Sequence, residues 1–393
     1  MIKRLAIVDL TPGMVTLENI TTPSGQSLAP AGTKLTKQLI NKIKLYRIDY
    51  VVVDAPEAPV VPVASETPPV VATTPSAPIA QTTFVKEPSP LEAPTRIAEI
   101  TPHTQKVMTS KEFQEFRMDY LMGIEKLKDA FSRVISDRSY TIDTQDLVES
   151  IAPLFVAKKT ITEILDMISQ MHTMDDSVYA HSINVAVICR VIGRWLHLEK
   201  NDLDVLTCCG LFHDIGKLSI PDEVLNKPGK LTDEEFALIK SHPKAGYELL
   251  RNQNVDLRIK QSALMHHERY DGSGYPMGLT SDMLADEAMI VAIADVYDAM
   301  TATRSYRAQL CPFEVIAKFE QEGFQKYHTK YIYVFLNNIA NTYQNNRVML
   351  NDGRACKIVM LNQNTLSRPI VQLDDESCID LSTEKELYIA KVL

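Results

Sequence analysis

No apolar run in this 393-residue chain approaches the roughly 18 residues that a bilayer span requires. Its start, MIKRLAIVDLTPGM, lacks the long apolar stretch and small-residue cleavage site of a signal peptide. A cytoplasmic protein with no membrane span is expected. Six cysteines are scattered without a CxxC pair, and Cys208 and Cys209 are too close for an ordinary disulfide. That usage fits a reducing compartment and core packing. Basic charge is also scarce: 41 Lys and Arg against 50 Asp and Glu leave a net charge of -9. This excludes a broad basic surface that tracks a nucleic-acid polymer. Any anionic substrate must be held by a local cluster of cations or metals.

What is present suggests several folded regions, since the length exceeds the usual 100 to 200 residues of one domain by about two-fold. Residues 1–54 alternate between the β-rich RLAIVDL, the helically spaced GTKLTKQLINKIKLYRI and the β-branched YVVVD, which predicts a small α+β domain. Residues 55–103 hold eleven of the 21 prolines and no glycine, the composition of a semi-rigid linker. Residues 107–342 carry amphipathic stretches such as FRMDYLMGIEKLKDAFSRVI and predict the main, helical domain. Beyond, RVML, ACKIVM, PIVQL, CIDL and ELYIAKVL predict a short β-rich extension over 343–393. The fold class is therefore mainly α.

The helical region holds the side chains that suit a metal: His181, His213, Asp214, His242, His266, His267 and Asp295. His181 lies in VYAHSINVAVICRVIG on the face of Val185, Ile188 and Ile192, and an ionisable group on an apolar stripe needs a partner. One such histidine would be read as a core residue bonded to a carbonyl. Five histidines and two aspartates in one region argue for a shared site. Imidazole and carboxylate without thiolate suit borderline first-row metals. His213 and Asp214 end the apolar stretch of CCGLFHDIGK, and adjacent helical side chains point about 100° apart. They serve one metal only if the helix is tightly placed; otherwise the carboxylate bridges two. Lys217, one turn on, reads as a contact for a phosphate oxygen or as a solvated surface charge. Asp298, three residues after Asp295, suits a role in orienting a ligand or the lysine, or is a surface carboxylate. Glu268 sits beside the histidine pair as a supporting group. In GSGYP, Gly272 and Gly274 read as positions with backbone angles that a β-carbon resists, with Pro276 fixing the exit. Tyr275 would line a cleft or anchor the loop.

The doublet His213-Asp214 with HHERYDGSGYP at 266–276 resembles the HD-GYP subfamily of the HD phosphohydrolases. The likeness runs over about 172–335, through DDSVYAHS, LFHDIGKLSIPDEVLNKPGKLTDEEF, HPKAG and IADVYDAMTATRSYR. The resemblance implies an all-helical catalytic domain with two divalent metals, iron or manganese first and nickel or zinc as alternatives. One would be held by His181, His213, Asp214 and Asp295, the other by Asp214, His242, His266 and His267. Some members hold a third metal through a glutamate four residues before the first histidine; here that place is Ser177. The resemblance further implies a metal-held hydroxide as nucleophile, between cations roughly 3.5–4 Å apart. Lys217 would neutralise a phosphoryl oxygen. Arg304 and Arg307 fall where the family has a basic pair that contacts the dinucleotide, although lysine is common at the second place and proline at the position held by Ser305. Tyr275 would join them at the substrate. DLTPGM and AGTKLTKQLINKI resemble, over a shorter stretch, the domain of unknown function common ahead of HD-GYP domains.

The expected function is hydrolysis of cyclic di-GMP to pGpG, with further cleavage to GMP left open. The competing readings are a non-catalytic cyclic-dinucleotide receptor or an adaptor docking to diguanylate cyclase domains, and a hydrolase of another dinucleotide such as cyclic GMP-AMP. All seven ligand positions of the resemblance are filled, which favours the enzyme. Oligomeric state is not legible in the sequence.

Overall fold

The computed structural model describes residues 2–6, 10–11, 13–21, 27–36, 39–40, 43, 50–54, 108–137, 139–155, 160–172, 174–175, 177–227, 229–302 and 309–393. The linker expected over 55–103 lies outside them, as do Arg304 and Arg307. The chain divides into two compact units, residues 1–87 and 88–393.

In the first unit, β1 (Ile2–Ala6) and β2 (Val15–Thr16) flank β5 (Tyr50–Asp54) in an antiparallel sheet of order β1-β5-β2. A separate hairpin joins β3 (Ile20–Thr21) to β4 (Ser27–Ala29). The β-branched alternation of YVVVD turns Val51 and Val53 inward, where they join Leu35, Ile40 and Ile43 in a small core. Residues 39, 40 and 43 are helical; the rest of the helix expected there lies outside the described residues.

The second unit begins with α1 (Lys111–Ser136), started by the Ser110 hydroxyl, which accepts from Phe113 N. It buries Phe113, Phe116, Tyr120, Ile124, Leu127 and Phe131, the three-and-four spacing of one helical face. α2 (Thr144–Ile151) and α3 (Ile161–Met171) follow, the latter opened by a capping box between Thr160 and Glu163. α4 (Val178–Trp195) is apolar almost all round and is correspondingly the central helix, buried along most of its length. It packs along α5 (Lys200–Phe212) and against α10 (Asp286–Thr301). Between α5 and α10 come the short α6 (Asp222–Leu225), α7 (Asp233–Ile239), α8 (His242–Leu250) and α9 (Leu257–Met265). α11 (Pro312–Lys326) and α12 (Thr329–Thr342) complete the helices.

The β-rich extension is a five-stranded antiparallel sheet of order β10-β6-β7-β8-β9, from β6 (Arg347–Leu350), β7 (Ala355–Met360), β8 (Ile370–Leu373), β9 (Cys378–Asp380) and β10 (Ile389–Val392). Its register pairs Val348 with Cys356 and Ile358 with Val371, and these fully buried side chains share one face. That face belongs to the same hydrophobic core as Phe313, Phe335 and Tyr343 of the helices. Glu320 of α11 ties the two together, accepting from the backbone N–H of Leu366 at 2.5 Å and the Ser367 hydroxyl at 2.5 Å.

A shared core makes a sheet substitution visible in the helices. Ile358→Ala should cost about 2–5 kcal/mol. The fluorescence of the single tryptophan, Trp195 of α4, should report the lowered urea midpoint together with far-ultraviolet circular dichroism. A Trp195 transition that stays put while the sheet melts early would show two independent cores.

Candidate metal centre

Five segments deliver the site, and most of its residues stand at helix ends. His181 is in the first turn of α4, His213 caps the C-terminus of α5, and His242 opens α8. His266 caps α9 with His267 next to it, and Asp295 and Asp298 lie within α10. The last carbonyls of a helix have no intrahelical partner, and a histidine just beyond can donate to one. His213 Nδ1 lies 2.7 Å from Gly210 O, and His266 Nδ1 lies 3.1 Å from Ser262 O. His242 Nδ1 uses Ile239 O at 2.7 Å, at the end of α7. A carbonyl only accepts, so each contact places the proton on Nδ1 and leaves the Nε2 lone pair pointing inward.

Those Nε2 atoms converge. His213 Nε2 is 3.3 Å from His181 Nε2, and His242 Nε2 is 3.2 Å from His266 Nε2. Asp214 stands between the two pairs. Its Oδ2 is 3.3 Å from His213 Nε2 and 3.5 Å from His181 Nε2; its Oδ1 is 3.2 Å from His242 Nε2 and 3.7 Å from His266 Nε2. Asp295 Oδ1 is 3.1 Å from His181 Nε2, and its Oδ2 faces His267 Nδ1 at 3.9 Å. Two groups result that could each hold a metal ion: His181, His213 and Asp295, and Asp214, His242, His266 and His267. The fit to a cation is chemical as well as spatial. The inward lone pairs of His242 and His266, 3.2 Å apart, repel unless something positive lies among them. Asp214 Oδ1, fully buried, has no hydrogen-bond partner among the described residues, and the nearby His242 Nε2 presents a lone pair to it because the ring's proton is spent at Nδ1.

The helical 100° offset between adjacent ligands does not apply to His213 and Asp214. Helix α5 ends at Phe212, and Asp214 takes φ -102° and ψ 8°, in the bridge region of backbone space, before a 3-10 turn over Ile215–Ser219. Gly216 in that turn brings α8 in: a β-carbon there would lie 2.0 Å from His242 O and 2.4 Å from Gly246 N. The glycine of HDIGK therefore sets how near His242 comes to Asp214.

Electrostatics follow from burial and neighbours. Burial would raise Asp214, but Lys217, His213 and His242 outweigh it and hold the carboxyl well below the usual range. Asp295 is likewise held down, against burial, by His181 and His267. Burial pushes His266 down to about 4 and His267 well below the ordinary imidazole value, keeping both neutral near pH 7. Burial opposes charge on His181 too, yet Asp295 and Asp298 flank its two ring nitrogens and raise it to about 9. A metal taken up at His181 must therefore displace a proton.

Lys217 Nζ contacts Asp214 Oδ2 at 2.5 Å and keeps 23% of its side chain exposed, so it links the buried carboxylate to the opening. Asp298 is no surface carboxylate. It is 1% exposed, and its Oδ2 lies 2.7 Å from His181 Nδ1, orienting a histidine rather than the lysine. Ser177 has become a helix cap, accepting from Ala180 N at 3.2 Å.

The turn after the histidine pair is pinned by Glu268, whose oxygens accept from Met277 N at 2.7 Å and Leu279 N at 2.9 Å. Its support thus goes to the loop. Gly272 has φ +80°, as expected. Gly274 differs: its angle is unexceptional, and the constraint is room, since a β-carbon would lie 2.4 Å from Glu268 Cα and Arg269 N. This close approach lays Tyr275 over His267, ring centroids 4.6 Å apart and 22° between planes. Lys240 stands 5.2 Å from the Tyr275 centroid and 4.7 Å from that of Phe236. Neither Lys240 nor His172, which bonds Asp298, stands out in the sequence; each acts on a residue brought near only by folding.

Residues 144–330 match the family described as HD domain. Over 168 residues the chain is 38% identical to a cyclic di-GMP phosphodiesterase of Pseudomonas aeruginosa, covering 42% of this chain and 40% of that protein. It is 45% identical over 122 residues to the cyclic di-GMP phosphodiesterase response regulator RpfG of Xanthomonas campestris, covering 30% and 32%. It is 40% identical over 130 residues to the 3'3'-cGAMP-specific phosphodiesterase 2 of Vibrio cholerae, covering 33% and 25%. The matched stretch thus spans less than half of each of these relatives. The stretch 144–330, with the doublet His213-Asp214 inside it and the Gly-Tyr-Pro turn closing over His267, is thus similar to the HD domains.

Proposed function

We propose that this chain is a metal-dependent phosphodiesterase that hydrolyses cyclic di-GMP to pGpG. The observation that carries the reading is the placement of Asp214, one carboxylate oxygen toward His181 and His213, the other toward His242 and His266. A carboxylate so placed suits a bridge between two ions. His181, His213, Asp214 and Asp295 would hold one; Asp214, His242, His266 and His267 the other. Five imidazoles, two carboxylates and no thiolate accept iron, manganese, nickel or zinc, and the family resemblance puts iron or manganese first. Two divalent ions at such a site would supply an activated water and neutralise phosphoryl charge.

The chain's own residues do the rest. His213, His242, His266 and Asp214 lie at the buried back of the site, while His181, His267 and Lys217 keep 17%, 18% and 23% of their side chains open to the cleft. A phosphodiester enters from that side. Lys217 offers a fixed positive charge to its non-bridging oxygen. Tyr275 forms the wall beside His267. The contacts assigned to Arg304 and Arg307 rest on the sequence resemblance. The relatives named for cyclic di-GMP support the substrate, and the relative named for 3'3'-cGAMP makes that hybrid dinucleotide the natural second candidate.

Protein loaded with manganese or iron should convert cyclic di-GMP to pGpG faster than 3'3'-cGAMP in a side-by-side assay followed by chromatography. Asp214→Ala should lower the rate more than about 10²-fold. Undiminished turnover in that variant would refute the assignment, and faster cleavage of the hybrid would reassign the substrate. Lys217→Met should lower kcat on the order of 10²-fold while leaving bound metal unchanged, because the lysine touches a ligand but is not one. Loss of metal with the charge would make Lys217 a structural group instead.

A further inference from the structure

His172 follows α3 as its C-cap, outside both metal-binding groups. Its imidazole is buried, and Nε2 lies 2.8 Å from Asp298 Oδ1. The other oxygen of that carboxylate lies 2.7 Å from His181 Nδ1. An ionised carboxylate brings no proton, so each imidazole must donate one. Asp298 is 1% exposed and turns one carboxylate oxygen to each ring. The proton is thereby fixed on Nε2 of His172 and on Nδ1 of His181. His181 Nε2, the atom facing Asp295 and Asp214, is left for a cation.

The remaining nitrogen of His172, Nδ1, is buried with no hydrogen-bond partner among the described residues. Such an atom costs about 1–3 kcal/mol, so packing alone would be better served by an apolar side chain. What distinguishes histidine here is the Nε2 donor. Without it Asp298 Oδ1 would be a stranded carboxylate oxygen in the core, free to swing toward any other donor and to take its partner oxygen off His181.

We propose that His172 is a positioning residue: acting through Asp298, it fixes the orientation and tautomer in which His181 presents Nε2 to the metal-binding group shared with His213 and Asp295. The proposal rests on the two-metal reading above and adds a directional consequence. The contacts running from His172 reach one group of ligands; His242, His266 and His267 are not among them.

The test is manganese titration of the full chain, stripped by chelator, against a competing indicator. Wild type should bind two ions per chain. His172→Leu, which keeps volume and removes the donor, should weaken one ion by about 10- to 100-fold and leave the other within about three-fold. His172→Gln, whose amide N–H can reach Asp298, should recover most of the loss. A purely structural histidine would lower the melting temperature without selecting one ion. Equal wild-type affinity for both ions in His172→Leu, or a glutamine variant no better than leucine, would overturn the proposal. Should the leucine variant fail to fold, 15N-histidine spectra of wild type decide: a proton on His172 Nε2 supports it, and a proton on Nδ1 alone contradicts it. Wild type binding fewer than two ions would overturn the two-metal reading itself, a result separate from any change at His172.

Discussion

A carboxylate removed from water must be given charge or donors in return, and Asp214 is the group on which this requirement falls hardest. It is 1% exposed, lies between two facing imidazole pairs, and receives its strongest compensation from a single lysine. One of its oxygens still lacks a hydrogen bond among the described residues. Around it, His213, His242 and His266 spend their Nδ1 protons on helix carbonyls and turn lone pairs inward. Charge and lone pairs so assembled are costly as a core and well suited to cations.

The fold meets this cost with rigid delivery. The candidate ligands come from α4, α5, α8, α9 and α10, which pack on one another around a core that also takes in the C-terminal sheet. Helix ends supply the free carbonyls that choose each tautomer, and Gly216 lets the α8 terminus come within reach of Asp214. At the open side the logic changes from burial to access. Glu268 and Gly274 set the turn that carries Tyr275, while Lys217 joins the buried carboxylate to the cleft.

Much of this was legible in the sequence because the relevant signals are local. An apolar helix stopping at His213-Asp214 and a histidine pair running into a glycine turn each mark a helix end bearing candidate ligands. The two open readings of Asp298 could not be separated there, since they depend on His172, 126 residues away in sequence. The glycine spacing suggests a backbone-angle role for Gly274, whereas its constraint is the room left by Glu268, a tertiary quantity that spacing does not encode. The strands after residue 343 were recognisable by alternation, but alternation says only that one face is covered. That the covering surface is the core of the helical domain follows from the partners of Val348, Ile358 and Val371.

In the proposed function one carboxylate, Asp214, would join two metal ions. Electron paramagnetic resonance of wild-type protein carrying two manganese ions per chain tests it most directly. Two ions sharing Asp214 should give the spectrum of an exchange-coupled pair. The six-line pattern of isolated manganese(II) at that loading would contradict it.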